Sequence, residues 1–469
     1  MLKTLVNVFR VRELRNKVLF TVGMLAVFRV GHWIPLPGVN QELLVQHFQQ
    51  AAADDSSAVA KLVSFVSLFS GGALSHSTIF GLGIMPYITA SIIFQLLAAA
   101  LPNLKKMQEE PTGRQRIQEW TRYATVGLCV VQAMGWLSYI AAQGLVHPEW
   151  RNNAVWWLMA VSALTAGTVF LMWIGEQIDK YGIGNGVSMI IMAGILAAMP
   201  GAIMDIVNNF EPGNAQKLGW LEVFALVAMF VGVIAGSVLM TIAQRRIPIQ
   251  QAKHTRGRRV FGGQRSYLPL RINHGGVMPI IFASSLMIFP AVFFSAIADA
   301  GVNAASANNT QPGMFTNLMR WFANNFTYGE FPYSVLYVAM IYFFAYFWIT
   351  VQFNPQEMSK QLRDHGSFIP GLRPGPRTEE YLETVMTRIT FVGAAFLAVI
   401  AVLPSILSRS MNISYSVTQF LGGTGTLIVV SVCLDFLQRV EANLMMRNYA
   451  GFLARDDDSN APRMKGPRG

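Results

Sequence analysis

The stretch from Leu68 to Ala100 reads LFSGGALSHSTIFGLGIMPYITASIIFQLLAAA. A short apolar segment, Leu62 to Phe69, leads into it. It is too short to cross a bilayer, which takes about 20 apolar residues. The chain breaks at Gly71-Gly72, and the apolar run that follows is interrupted by Gly81, Gly83 and Pro86. Hydrocarbon offers no water to exposed backbone groups, so broken helix at membrane depth must be buried in protein or line a cavity. Two readings fit: part of a passage through the membrane, or a re-entrant turn followed by an ordinary kinked helix.

The whole chain supports a membrane setting. Of 469 residues, 53% are hydrophobic and 13% charged, and the mean hydropathy is +0.39. Soluble domains carry about 25% charged residues. Apolar segments of spanning length lie at about 18–36, 76–101, 120–143, 155–176, 184–204, 219–242, 274–298, 332–353, 382–407 and 417–439. The expected fold is therefore an all-α polytopic membrane protein with ten transmembrane helices. Residues 1–17 carry Lys3, Arg10, Arg12, Arg15 and Lys17 among apolar residues, the pattern of an amphipathic helix on the membrane surface. They contain no short apolar core followed by a small-residue cleavage site, so no signal peptide is read there. Cys129 and Cys433 both lie inside apolar runs, which implies neither a disulfide framework nor a metal site.

Charge sets the orientation. With the first segment running outward, the inward connections are 1–17, 102–119, 177–183, 243–273, 354–381 and the tail from 440; together they hold 27 Lys and Arg. The five outward connections hold one each, Lys61, Arg151, Lys217, Arg320 and Arg409. This bias places both termini in the cytoplasm. It also accounts for most of the net charge of +11 without invoking nucleic acid. The outward stretches 49–58 and 299–313 are small, polar and weakly charged and read as flexible loops, and the tail from Arg455 reads as disordered.

No catalytic set is visible: no GxSxG elbow, no HExxH, and no glycine loop ending in Lys-Ser or Lys-Thr. GIGNG at 182–186 sits between two membrane segments with no strand before it, so it reads as a tight turn rather than a nucleotide site. Arg29, Glu176, Arg388 and Asp435 are the ionisable groups inside or near spans. They read as snorkelling or locally paired structural charges. A small-solute transporter would need ionisable residues beside a midplane site, and a membrane enzyme would need a catalytic cluster at one depth. Neither is apparent. In the second segment Ile84, Ile88, Ser91 and Gln95 form one helical stripe that turns from apolar to polar in the inward direction. Such a stripe suits an apolar constriction opening into a wet vestibule, although isoleucines of this kind more often simply pack or face lipid.

Two inward loops are the polar landmarks. Residues 245–272 contain eight Lys and Arg and no acidic residue. Their ends, RIPIQQ and SYLPLRI, have the composition of a β-ribbon around a basic tip. Residues 354–378 are rich in Gly and Pro. Both loops exceed what connection requires, and long loops of this kind tend to be functional. A large cytoplasmic partner with an anionic surface or RNA is expected.

At these residues the sequence resembles the SecY family (SecY/Sec61-alpha), to which the channel subunit of the bacterial preprotein translocase belongs. The resemblance spans nearly the whole chain through collinear matches: FRVGHWIPLPG (28–38), FSGGALS, GIMPYITASII, FLMWIGEQI, GIGNG, GGQRSYLPLRIN, MPIIFASS, FNPQEMS, IPGLRPG and GGTGTLIVV. Gly425 stands where the family often has serine, and Pro376-Arg377 departs from the pair common after GLRPG.

The resemblance implies the following. Two pseudo-symmetric five-helix halves, 1–215 and 216–440, surround a central hourglass pore, with 441–469 as a largely disordered cytoplasmic tail. A short plug helix at about 62–75 includes Phe69, Ser70, Gly71, Gly72, Ala73 and Leu74. A pore ring is formed by Ile84, Ile88, Val187, Ile191, Ile281 and Ile428. A lateral gate between the second and seventh segments has Ser91 and Gln95 on one side and Ser284, Ser285 and Phe289 on the other. Arg256, Arg258, Arg259 and Arg373 belong to the surface that docks the ribosome or the motor ATPase SecA. Small membrane subunits SecE and SecG, preprotein signal sequences and membrane lipid complete the partners. Neither a cofactor nor a metal is expected, and no enzymatic activity. The setting implied is a bacterial plasma membrane.

Overall fold

The computed structural model describes residues 11–53, 76–151, 153–211, 219–251, 254–256, 259–261, 265–307, 313–326, 330–411, 417 and 423–453. The helices of the first half are α1 (Arg12–Gly31), α2 (Gln41–Ala53), α3 (Met85–Ala100), α4 (Pro102–Glu109), α5 (Pro111–Ala142), α6 (Ala154–Tyr181) and α7 (Gly186–Asn208). Then come α8 (Trp220–Ile242), strands β1 (Gln244–Gln251), β2 (His254–Arg256), β3 (Arg259–Phe261) and β4 (Arg265–Arg271), and α9 (Met278–Ala307). The chain continues through α10 (Met314–Asn325), α11 (Phe331–Gln352), α12 (Pro355–Asp364), β5 (Ser367–Phe368), α13 (Pro376–Met411) and α14 (Thr424–Leu453). Each of the ten apolar segments falls on one of these helices. Among the described residues six helices are individually long and apolar enough to cross a membrane.

Local chemistry sets the helix starts. Proline occupies the first turn of α3, α4, α5, α11 and α12, where its missing N–H costs nothing. Asparagines cap three others: Asn153 accepts from the Val155 amide at 2.9 Å, Asn185 from Ser188 at 3.0 Å, and Asn354 from Gln356 at 3.2 Å. In GIGNG, Gly184 takes φ +104, a conformation glycine adopts without penalty, and so frees Asn185 to cap α7. Asp179 accepts from the Gly186 amide at 2.7 Å, closing the turn. A Cβ at Gly186 would collide with the Gly175 carbonyl oxygen, so α6 and α7 approach closely there. Gly186→Val is expected to destabilise the protein by about 1–3 kcal/mol through overpacking. A detergent melting curve reads this, and an unchanged midpoint would contradict the close approach.

Several boundaries differ from the sequence expectation. Residues 76–84 are turns, and α3 starts only at Met85. Pro86 therefore begins the helix rather than kinking it. The turns are held by the Leu36 amide donating to the Ser77 carbonyl at 2.9 Å and by a bridge between Pro35 and Thr78. Residues 12–17 are not a separate surface helix. They are the first turns of α1, because no Gly or Pro intervenes before Gly23. Residues 49–53 and 299–307 are helical rather than loop, since alanine-rich sequence favours helix even when small and weakly apolar. Finally, α14 continues to Leu453, well past the expected end of the tenth segment. The plug residues Phe69, Ser70, Gly71, Gly72, Ala73 and Leu74, and Arg258, lie outside the described residues.

In the first half α1, α3, α5 and α7 gather around α6; in the second, α9, α11, α13, α8 and α14 pack in succession. Among the described residues the closest helix packing between the halves is α7 against α14. One apolar core belongs to the first half alone, around Leu36, Leu44, Leu137, Ile140 and Trp156. Two of the four membrane charges are paired: Glu176 with Arg122 at 2.8 Å, and Asp435 with Arg439 at 2.9 Å. Arg29 lies 6.0 Å from the Trp33 ring centre, and Arg388 is exposed.

Candidate functional site

The six ring candidates sit on four helices far apart in sequence. Ile84 immediately precedes α3, Ile88 is in its first turn, Val187 and Ile191 are on α7, Ile281 is on α9, and Ile428 is on α14. All five isoleucines are buried members of one apolar cluster, and half-buried Val187 packs against it. The cluster draws on residues from Phe28 to Val432. Its neighbours include Met85, Met189, Met192 and Met287, all buried. Methionine is unbranched and rotates readily, so it can refill space when its neighbours move. The backbone beside Ile84 is turned by Gly83 at φ +59 just before α3 begins.

Next to this collar lies a cavity of about 940 Å³. Ser91, Gln95 and Tyr87 of α3 line one wall, with Lys105 and Arg114 beyond; Glu357, Glu379 and Glu383 line the other. Gln95 donates to the Ser91 hydroxyl at 3.0 Å, and its own carbonyl oxygen is buried with no hydrogen-bond partner in the structure. Ser284 and Ser285 do not line this cavity. Both are buried and both donate to the Ile281 carbonyl, at 3.0 and 2.7 Å, so their hydroxyls are satisfied within α9. Phe289 also lies on α9. Four of the gate candidates are thus divided: Ser91 and Gln95 line the cavity, and Ser284 and Ser285 are buried in α9. The acidic wall went unnoticed in the sequence. Glu379 and Glu383 stand one helical turn apart, a spacing that marks one face but does not say that the face is inward.

The two long loops fold into one platform. β1 and β4 pair antiparallel from Gln244–Arg271 to Gln250–Arg265, as the β-like composition suggested. β5, from the other loop, adds to the same sheet through Gln250–Phe368 and Gln251–Ser367. Ile247, Leu270 and Ile369 are buried with Leu382, Val385, Met386 and Ile389 of α13, so the platform has its own core. Arg256 and Arg259 face each other in the β2–β3 register at the hairpin's end. Arg373 is exposed in a turn flanked by Gly371 at φ +86 and Gly375 at φ +131. Its carbonyl accepts from the Thr378 hydroxyl at 2.9 Å, and Ser359 donates to the Gly375 carbonyl at 2.9 Å. Among the described residues the exposed guanidinium has no hydrogen-bond or ion-pair partner, on a well-fastened loop.

Apolar spanning helices packed around one buried cluster, with a polar cavity and a basic sheet, define a polytopic helical membrane protein. Comparison with known proteins is specific. The SecY family model matches residues 78–437. The protein translocase subunit SecY of Chlamydia trachomatis is 39% identical, over 98% of this chain and 100% of that one. A solved structure described as the structure of a protein conducting channel shares the fold, with TM-score 0.57 and 17% identity over 91% of this chain and 92% of the other. Sec61 in the canine ribosome–channel complex from the endoplasmic reticulum gives TM-score 0.55 at 16% identity, with the same coverage. The chain belongs to the SecY family.

Proposed function

We propose that this chain is the protein-conducting channel subunit of a bacterial Sec translocase. It would pass unfolded secretory polypeptides across the plasma membrane and release apolar segments into lipid. One observation supports the reading: five isoleucines from sequence-distant segments share one buried cluster, and the half-buried Val187 packs against it. Such a collar can yield around an extended chain, yet offers ions no polar ladder when closed. The halves 1–215 and 216–440 part to open it, with the lateral gate between α3 and α9 and the plug at about 62–75. A segment of about 20 apolar residues gains by leaving the wet cavity for lipid. Both termini are cytoplasmic, which puts the cavity and the platform on the inner side. The chain itself is not an enzyme.

The driving energy comes from a partner at the platform, SecA or the ribosome; SecE and SecG complete the complex. The ribosome assignment is supported by likeness to a channel solved in a ribosome complex and by eight basic residues in 245–272. Reversing Arg256, Arg258 and Arg259 to Glu is expected to weaken partner binding strongly at low salt and little at high salt, because exposed charges are screened within about 10 Å at 0.1 M. Affinity that falls equally at both salt concentrations would contradict a charged docking surface. The decisive test of the channel is cysteine crosslinking of a stalled secretory chain to positions 84, 88, 187, 191, 281 and 428. Adducts at positions on all four helices are expected. Adducts confined to one helix would refute a ring.

A further inference from the structure

The surface of helix α10 is divided three ways. One sector is docked: Phe322 and Phe326 lie 5.1 and 5.6 Å, between ring centres, from Phe294 of α9. A second is apolar and uncovered: Met314 is 92% exposed, Phe315 64%, Leu318 48% and Trp321 54%. The third is polar and holds Asn317 and Arg320. An amphipathic helix with a docked edge, an open apolar face and a polar back suits a surface that is apolar on one side and wet on the other.

From this we infer that α10 lies in the lipid headgroup region of the outer leaflet and anchors the outer end of the gate helix α9 there. The inference rests on the membrane orientation proposed above. Two observations select lipid over a protein partner. Only five residues, 326–330, separate α10 from the spanning helix α11, so about 20 Å of chain at most holds it to the membrane boundary. And the helices it packs against expose apolar side chains nearby in sequence: Phe293 of α9, and Phe331 and Val335 of α11, are 60, 77 and 51% exposed. The open face of α10 thus accompanies apolar side chains on its neighbouring helices that are themselves uncovered. A tryptophan on that face and an arginine beside it are the residue types that settle at this boundary.

The test uses the full chain, purified with the subunits that accompany it, in nanodiscs containing brominated phospholipid. Single cysteines replace Met314, Leu318, Asn317 or Val335 in a background lacking Cys129 and Cys433, each carrying an environment-sensitive fluorophore. Labels at 314 and 318 are expected to lose most of their emission to bromines near the glycerol end of the acyl chain, while the label at 317 keeps its emission. Quenching at 335 without quenching at 314 and 318 overturns the inference, whether water or protein covers the helix, and leaves the channel reading intact. No quenching at 335 either would show that the start of α11 does not border lipid, and overturn this inference with it.

Discussion

Ile88→Asn or Ile428→Asn is expected to turn the resting channel into a steady ion leak and to let weakly apolar signal sequences through. Both side chains are buried in the collar. An amide placed there without a partner costs roughly 1–3 kcal/mol, and water can recover that cost only by entering. A wetted constriction no longer excludes ions, and a closed state made less stable opens for poorer substrates. Planar-bilayer conductance without a substrate chain reads the first effect, and secretion of a defective signal sequence reads the second. A conductance equal to that of the unmodified channel would remove the seal from the collar. The buried methionines beside these isoleucines set the contrast. Met192→Leu, an apolar exchange of similar volume, is expected to leave the leak unchanged.

The second large effect concerns Arg373. Arg373→Glu is expected to stop motor-driven secretion while the channel still folds. The side chain is exposed and its loop is fastened through backbone groups, by Thr378 on the Arg373 carbonyl and Ser359 on the Gly375 carbonyl. Reversing the charge therefore spares the loop. Losing one member of a desolvated charge pair at an interface costs about 2–5 kcal/mol, or roughly 30-fold or more in affinity. ATP-driven translocation into vesicles reads the loss, and a melting curve checks the fold. Export at the normal rate would refute the role. Gly375→Val should give a different failure. At φ +131 a branched residue is strained, so the loop itself should loosen and both readouts should fall.

How much of this was legible beforehand depends on what kind of information a residue carries. Each apolar segment announced a helix, because length and hydropathy are local and a bilayer imposes both. The Lys and Arg bias carried the expected orientation, and the β-like composition of RIPIQQ and SYLPLRI carried the hairpin that β1 and β4 form. The start of α3 is not legible because a run of glycines and apolar residues looks spanning, whereas the Ser77 carbonyl and the Ile79 amide are bonded to residues 36 and 34. The amphipathic character of α10 was legible but overlooked.

Chain-local chemistry settled which segments are helices, where they are capped and which loops are basic. Only the folded molecule decided that Ile84, Ile88, Ile191, Ile281 and Ile428 share one cluster with Val187 packed against it, and that β5 completes the sheet begun more than a hundred residues earlier. The reason is physical: an isoleucine is equally content against lipid or against another isoleucine. Its identity therefore gives no choice between the two, and that choice is made by the register in which distant helices pack.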